Sequence, residues 1–234
     1  MLQLRNVNVS YDGLQTIWDV SMEVGDKRFV SLIGSNGAGK TTLLRTISGL
    51  KEPQSGNITW NGREIAGMQP NKICELGIIH VPEGRKIFPN MTVRDNLEMG
   101  AYLQVNRKHL KDSLHFVFEV FPLLEQRRKQ YAATLSGGEQ QMLAIARGLM
   151  GKPELLMLDE PSLGLSPKMA GEVFERLGVL SSRGLSILLV SQEIPKSLKL
   201  SDTAYVMENG RIMMQGSGEE LLKDNQIRKH YLGI

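Results

Sequence analysis

The segment 34–41, "GSNGAGKT", is the feature that most constrains how this 234-residue chain folds. It fits the phosphate-binding pattern G-x-x-x-x-G-K-[ST], follows the apolar run "FVSLIG" and leads into the helical pattern "TLLRTISGL". In such a loop, successive N–H groups and a helix N-terminus surround phosphates. The ammonium of Lys40 adds a positive charge, and the hydroxyl of Thr41 is offered to Mg²⁺. The sequence therefore predicts a nucleotide-binding α/β domain.

Short apolar runs elsewhere in the chain predict a mostly parallel core sheet. "GIIHV", "LLMLDE" and "SILLVS" end in polar residues and are separated by helical patterns. At the amino end, "LQLRNVNVSY" alternates apolar and polar residues, and "VSMEVGDKRFV" reads as a strand, a Gly-Asp turn and a strand, which predicts an antiparallel layer. Near the carboxyl end, Asn209-Gly210 lies between two apolar strands and predicts a hairpin.

The segment 95–150 has helical patterns and no clear strand, which predicts a helical lobe inserted into the α/β core. We expect a single domain over 1–234. Its α/β core would occupy about 1–83 and 152–234, and its helical lobe about 84–151.

Composition excludes several classes of protein. The net charge of +3 is too weak to indicate nucleic-acid binding, and the basic run "QRRKQ" is typical of a solvated helix face. No window approaches the ~20 apolar residues of a membrane helix, and the amino end lacks the apolar core of a signal peptide. The single cysteine, Cys74, forms no internal disulfide. A role at a membrane would therefore be carried out from its surface.

The run "LLMLDEP" places Asp159 and Glu160 at the carboxyl end of a buried strand. In enzymes with a phosphate-binding loop, an acid at this place holds Mg²⁺, and a second acid can polarise an attacking water. The alternative is that the two carboxylates simply begin a loop, but two charges directly after a buried run are costly unless a cation is near.

The run "LSGGEQQ" begins the helical pattern "EQQMLAIARGLM". Ser136 and Glu139 have the spacing of an S-x-x-E capping box, which is a purely structural explanation. The two glycines inside that box are poor helix formers and suit a place where a ligand approaches the backbone. The helix N-terminus would be a second anion site. One chain cannot easily apply both sites to one nucleotide, so we expect two chains to share it.

The order "GSNGAGKT", "LSGGEQ", "LLMLDEP" resembles the ATP-binding cassette (ABC) ATPases over essentially the whole chain. In that family two cassettes pack head to tail, and each ATP lies between one subunit's phosphate loop and the other's signature helix. The resemblance implies that Tyr11 stacks on adenine, although an ordinary half-buried strand tyrosine is the alternative. The residues it implies for ATP binding are Tyr11, Gly34, Ser35, Asn36, Gly37, Ala38, Gly39, Lys40, Thr41 and Thr42, with Ser136, Gly137 and Gly138 contacting the partner's γ-phosphate.

The resemblance also implies catalytic and metal roles. Glu160 would be the general base, and Thr41, Glu83 and Asp159 would hold Mg²⁺. Gln192 stands where the family has a switch histidine and would orient the γ-phosphate, unless Ser191 or Glu193 reaches the site instead.

Three positions depart from the general cassette pattern. Glu83 replaces the glutamine that senses the γ-phosphate, Leu165 replaces an aspartate in the loop after the general base, and Gln192 replaces the histidine. With "VPEGR", "DEPSLGL" and the ending "RKHYLG", these departures resemble the LivF-type ATPase subunit of bacterial branched-chain amino acid importers.

The implied function is an ATPase at the cytoplasmic face of the cell membrane that drives a permease. Its implied partners are a second cassette, which is a copy or a sister subunit, integral membrane permeases and, indirectly, a substrate-binding protein. Phe88, Pro89 and Met91 are candidates for a groove that receives a permease helix, or they are buried within the lobe. The alternatives are an importer of urea or other amides, a soluble cassette acting on ribosomes or DNA, and a cassette that binds ATP as a regulator.

Overall fold

The computed structural model describes residues 1–229, apart from the side chain of Val105. Of the segment "RKHYLG", residues 230–233 lie outside the described residues. The strands are β1 Leu2–Tyr11, β2 Leu14–Val24, β3 Phe29–Ile33, β4 Ser55–Trp60, β5 Arg63–Glu64, β6 Ile78–Val81, β7 Leu155–Asp159, β8 Ser186–Ser191, β9 Thr203–Glu208 and β10 Arg211–Gly216. The helices are α1 Lys40–Ile47, α2 Pro70–Glu75, α3 Val93–Gly100, α4 Gln104–Arg107, α5 Leu110–Val120, α6 Pro122–Gln126, α7 Gly137–Leu149, α8 Pro167–Ser182, α9 Ile194–Leu200, α10 Gly218–Lys223 and α11 Asn225–Ile227.

The chain divides into two compact units. The first contains Met1–Leu76 and the chain from Ser186 onward, and the second is Gly77–Leu185. The predicted helical segment therefore lies in the second unit, together with β6, β7 and α8. The domain boundaries given by the sequence remain a prediction.

An antiparallel sheet of order β2-β1-β4-β5 forms one layer of the first unit. The alternating pattern of β1 produces it, because Leu4 and Val9 are buried while the intervening polar residues are more exposed. The predicted antiparallel layer is confirmed, but the strand after the Gly-Asp turn does not belong to it. That strand, β3, is buried over its whole length and lies in a different sheet.

The other sheet of the first unit has the order β10-β9-β3-β8. Strand β3 pairs in parallel with both β8 and β9, and Ile33 is in register with Ser191. Strands β3 and β8 therefore end at the same edge. The hairpin predicted around Asn209-Gly210 is confirmed by the antiparallel pairing of β9 with β10.

The second unit combines a parallel pair of strands with helices. Strand β6 pairs with β7, and Val81 is in register with Leu158. Helix α8 begins with Pro167 after the cap Ser166, and its apolar residue Leu177 is completely buried. The mixed parallel and antiparallel sheets with packed helices agree with the predicted fold class.

Candidate functional site

The phosphate loop connects β3 to α1 in the first unit. Its tip, 35–37, is exposed, and Ala38, Gly39 and Lys40 are buried. A Cβ on Gly34 would lie 2.1 Å from the carbonyl oxygen of Met207, and Gly39 has φ 106°. Both positions require glycine, because a side chain would collide at the first and strain the backbone at the second. The loop thus keeps the shape in which its N–H groups lie close together.

The side chain of Lys40 lies within this loop. Its Nζ donates to the carbonyl oxygens of Gly34 at 2.8 Å and Ser35 at 3.0 Å, and the residue is 5% exposed. The ammonium is thereby fixed beside the loop, where it suits an anionic ligand. Thr41 and Thr42 follow in the first turn of α1 and are half-buried.

Gln192 lies directly after β8 and contacts the phosphate loop. Its Nε2 donates to Asn36 Oδ1 at 2.6 Å. The neighbouring side chains are engaged locally, since Ser191 Oγ accepts from the backbone N–H of Glu193 at 3.0 Å and the Glu193 carboxylate pairs with Lys196 at 2.7 Å. Of the three residues considered from the sequence, Gln192 is the one whose side chain donates a hydrogen bond to the loop.

Tyr11 ends β1 as a half-buried residue. The ammonium of Lys51 lies 4.6 Å from the centre of its ring, a cation–π contact. The stacking of Tyr11 on adenine remains a prediction.

The acidic residues predicted from the sequence belong to the second unit. Asp159 ends the buried strand β7 and is 2% exposed, and Glu160 follows it at 7% exposed. Glu160 has φ 46°, a left-handed backbone that is uncommon outside glycine and occurs in turns and at functional sites. Two carboxylates buried this deeply fit a site that holds a cation.

A cavity of about 470 Å³ in the second unit has Glu83 and Glu160 in its wall. It brings together the end of β6, the start of α7 and the segment after β7. Its other lining residues are Gly84, Arg85, Lys86, Ile87, Pro89, Gln140, Gln141 and Leu163.

The start of α7 has the predicted capping box. The Ser136 hydroxyl accepts from the backbone N–H of Glu139, and the Glu139 carboxylate accepts from that of Ser136 at 2.8 Å. The same carboxylate pairs with Arg127 at 3.0 Å. Gly137 is covered by the guanidinium of Arg85, whose Nη1 would lie 2.8 Å from a Cβ at that position.

The unusual backbone conformation of the segment 84–86 was not predicted from the sequence. Arg85 has φ 66° and Lys86 has φ 35°, so two successive non-glycine residues have left-handed backbones. The Lys86 carbonyl oxygen accepts a 2.5 Å hydrogen bond from Nη2 of Arg147. The only signal in the sequence was a glycine followed by two long basic residues, which does not predict such a conformation.

A second cavity of about 300 Å³ lies on the helical side of the same unit and forms an apolar groove. Exposed aromatic and sulfur side chains line it, with Phe88 at 42%, Met99 at 37% and Tyr102 at 71% exposure. Asn96 is fully buried and fixes one wall, because it accepts from the Phe88 N–H at 2.8 Å and donates to the Phe88 carbonyl at 2.9 Å. Of the residues expected at a groove, Phe88 and Pro89 are exposed and Met91 is half-buried.

The family model described as ABC transporter matches residues 17–163, which include the phosphate loop, the start of α7 and the acidic pair. The chain belongs to the ABC transporter family. The predicted resemblance is therefore confirmed.

The relatives of this cassette match it over its full length. It is 46% identical over 233 residues to the high-affinity branched-chain amino acid transport ATP-binding protein BraG of Pseudomonas aeruginosa, with 100% of both chains covered. It is 39% identical to the probable branched-chain amino acid transport ATP-binding protein LivF of Archaeoglobus fulgidus, covering 100% of this chain and 99% of that one.

The fold of this cassette is that of solved ATP-binding cassettes. A crystal structure of the ADP conformation of an ATP-binding cassette of an ABC transporter superposes with a TM-score of 0.85 at 25% identity, covering 100% of this chain and 99% of the other. The predicted fold class is confirmed. Within residues 1–229, no helix combines the length and the apolar character needed to span a membrane.

Proposed function

We propose that this cassette is the ATP-hydrolysing subunit of an importer for branched-chain amino acids. The observation that carries the proposal is its full-length identity of 46% to an ATP-binding protein of branched-chain amino acid transport. The chemistry of the candidate site supports ATP hydrolysis, because a phosphate loop, a buried lysine and a pair of buried carboxylates are present in one chain.

In this proposal the phosphates bind to the loop of the first unit. The N–H groups of 34–42 and the ammonium of Lys40 surround the β- and γ-phosphates. Tyr11 stacks on adenine, and Gln192, placed at the loop by its bond to Asn36, donates to the γ-phosphate. A glutamine amide does this without changing its protonation in the working pH range.

Mg²⁺ would be held by Thr41, Asp159 and Glu83, and when bound it neutralises charge on the phosphates. The depth at which Asp159 is buried fits such a cation. Among residues 1–229, no three His, Cys, Asp or Glu side chains form a metal-binding group. Phosphate and water oxygens would therefore supply most of the ligands.

Glu160 would accept the proton of the attacking water as general base. Its left-handed backbone and its place in the wall of the cavity hold the carboxylate in a fixed position. A retained base favours turnover over a purely regulatory cassette.

We infer that the site is completed by a second cassette, which is a copy or a sister subunit. Ser136, Gly137 and Gly138 begin α7 with N–H groups suited to an anion, and they would contact the γ-phosphate bound by the partner. Closure of two cassettes around ATP would provide the motion that drives transport.

The groove lined by Phe88, Met99 and Tyr102 would receive a permease helix at the cytoplasmic face of the membrane. Its exposed apolar side chains support this use, since a contiguous apolar surface marks an interaction site. A helix in a hydrophobic groove is a common mode of recognition.

Transport itself tests the proposed function. We would purify the cassette with the membrane proteins that accompany it, reconstitute the complex with its binding protein in liposomes, and measure uptake of radiolabelled leucine and urea driven by ATP. We expect the parent complex to take up leucine and the Lys40→Ala complex not to. Uptake of urea but not leucine would assign the related amide importers, and no ATP-dependent uptake of either would contradict the proposal.

Two matched variants test whether the groove binds a permease. Tyr102→Glu places a charge in the groove, whereas Tyr131→Glu places one on another exposed tyrosine, at 59% exposure, that does not line it. We expect the first variant to lose association with permease-containing membranes and the second to keep it. Equal retention of both would remove the groove from the proposal.

A further inference from the structure

Arg147 lies between the groove and the cavity that has Glu83 and Glu160 in its wall. It lines the groove, where its guanidinium is 5.0 Å from the ring centre of Phe88. Its Nη2 donates to the carbonyl oxygen of Lys86 at 2.5 Å, and Lys86 lines the cavity that contains Glu83 and Glu160. One side chain therefore contacts the walls of both cavities.

The Lys86 carbonyl belongs to a segment that needs external support. Gly84, Arg85 and Lys86 have φ values of 83°, 66° and 35°, so three successive residues are left-handed and two of them have side chains. The Lys86 N–H donates to the Gly84 carbonyl at 2.7 Å within this tight turn. L-residues other than glycine adopt this region at a cost, and the surrounding structure must maintain it.

Burying the guanidinium of Arg147 here costs desolvation free energy. Burial lowers the pKa of its guanidinium, and its Nη1 is buried with no hydrogen-bond partner among the described residues. Packing alone would be achieved by an apolar side chain without that desolvation cost. The contacts of Nη2 and of the ring face account for keeping an arginine.

We infer that Arg147 is a positioning residue for ATP hydrolysis, holding the left-handed segment Gly84–Lys86, and with it Glu83, in the conformation that lines the cavity containing Glu160. The inference rests on the proposed function, since it assigns a regulatory connection to the same site. A permease helix that contacts Arg147 or Phe88 would act on this segment through a single hydrogen bond.

Substitution of Arg147 by lysine tests the inference, because lysine keeps the charge and the stem but loses the guanidinium fork. We expect Arg147→Lys to lower kcat for ATP hydrolysis about tenfold, the effect of losing one charge-assisted hydrogen bond from the active arrangement. The KM for ATP should stay within about twofold, because the phosphate loop is unchanged. Phosphate release by the complex of the full chain with its partner subunits gives both constants, and a melting curve of the purified chain verifies folding.

The decisive readout is rescue by a second substitution. Glycine adopts a left-handed backbone without strain, so Lys86→Gly removes the need for the hydrogen bond. In the Lys86→Gly background, Arg147→Lys should lower kcat less than twofold. Arg147→Met, a second variant without the donor, should behave in the same way.

Arg183→Lys is the matched control. Its guanidinium also lies on an aromatic ring, 5.4 Å from the centre of Phe116, but pairs with Glu119 on an exposed surface. We expect its kcat to equal that of the parent. A parental kcat for Arg147→Lys, or an equal fall in both backgrounds, would overturn the inference while leaving the proposed function in place. A parent complex, purified with its partner subunits, that does not hydrolyse ATP would overturn both.

Discussion

At the residue scale, a phosphate site needs positive charge and hydrogen-bond donors, which Lys40 and Gln192 would supply. Lys40 is buried and already directed at the loop by its two bonds to backbone carbonyls. Gln192 is directed at the same loop by its bond to Asn36. These placements lead to two predictions.

Lys40→Ala should weaken ATP binding by about 10- to 100-fold, because a charge-assisted contact to phosphate contributes on the order of 1.5–3 kcal/mol. Titration with a fluorescent ATP analogue measures the loss. Lys72→Ala is the control, since Lys72 pairs with Glu75 on the exposed surface of α2. Unchanged affinity in Lys40→Ala would remove the phosphate loop from the mechanism.

Gln192→Ala should lower the hydrolysis rate at least about tenfold, roughly 1.4 kcal/mol of barrier, with little change in ATP affinity. Ser191→Ala and Glu193→Ala serve as controls, because their side chains are occupied by local contacts. Phosphate release at saturating ATP compares the three variants. A parental rate in Gln192→Ala with a large fall in a neighbour would assign the γ-phosphate contact to that neighbour.

At the element scale, α7 depends on its first turn. Glu139 is 8% exposed, accepts from the Ser136 N–H and pairs with Arg127, so it fixes both the helix start and the chain before it. The capping box is therefore compatible with the anion site that we expect from the two glycines. The structural and the functional explanations of "LSGGEQQ" do not exclude each other.

Glu139→Ala should destabilise the chain by about 2 kcal/mol, because it removes a cap and half of a partly buried ion pair. For a chain of this size the melting temperature should fall by about 4–8 °C. Calorimetry or circular dichroism measures it. Glu98→Ala, which breaks the exposed pair with Arg94, should shift it by less than about 2 °C. Equal shifts would contradict a stabilising role for the box.

Most core elements were predictable because their signals are local. The buried runs became β3, β7 and β8, and the Asn209-Gly210 turn formed its hairpin. The short strands β4 and β5 were not predicted, because "SGNITW" has only two buried positions and acquires its structure from pairing with β1. The sheet to which β3 belongs depends likewise on distant partners.

At the scale of the whole molecule, the candidate site could be predicted wherever a motif has fixed spacing. The loop 34–42, the acidic pair and the start of α7 are each one contiguous stretch of sequence, so the sequence alone indicates their chemistry. Arg147 was not found, since its partner Lys86 is 61 residues away and neither lies in a motif. The left-handed segment at Arg85 could not be predicted from the sequence either, because its conformation is imposed by tertiary contacts.

The full-length relatives place the whole chain within transport ATPases, so its central property should be ATP hydrolysis that depends on Glu160. Glu160→Gln keeps the shape of the side chain and removes the base. Glu154→Gln is the matched control, because Glu154 is an exposed glutamate just before the same strand, β7. Nucleotide binding measured on the same samples verifies that the phosphate loop is intact.

The measurement is steady-state phosphate release at saturating ATP and Mg²⁺ by the complex, purified with its partner subunits, that contains the parent chain, Glu160→Gln or Glu154→Gln. We predict turnover in the parent and in Glu154→Gln, and a rate at least about 100-fold lower in Glu160→Gln with ATP binding retained. Equal rates in the parent and Glu160→Gln would contradict the account, because another group would then activate the water.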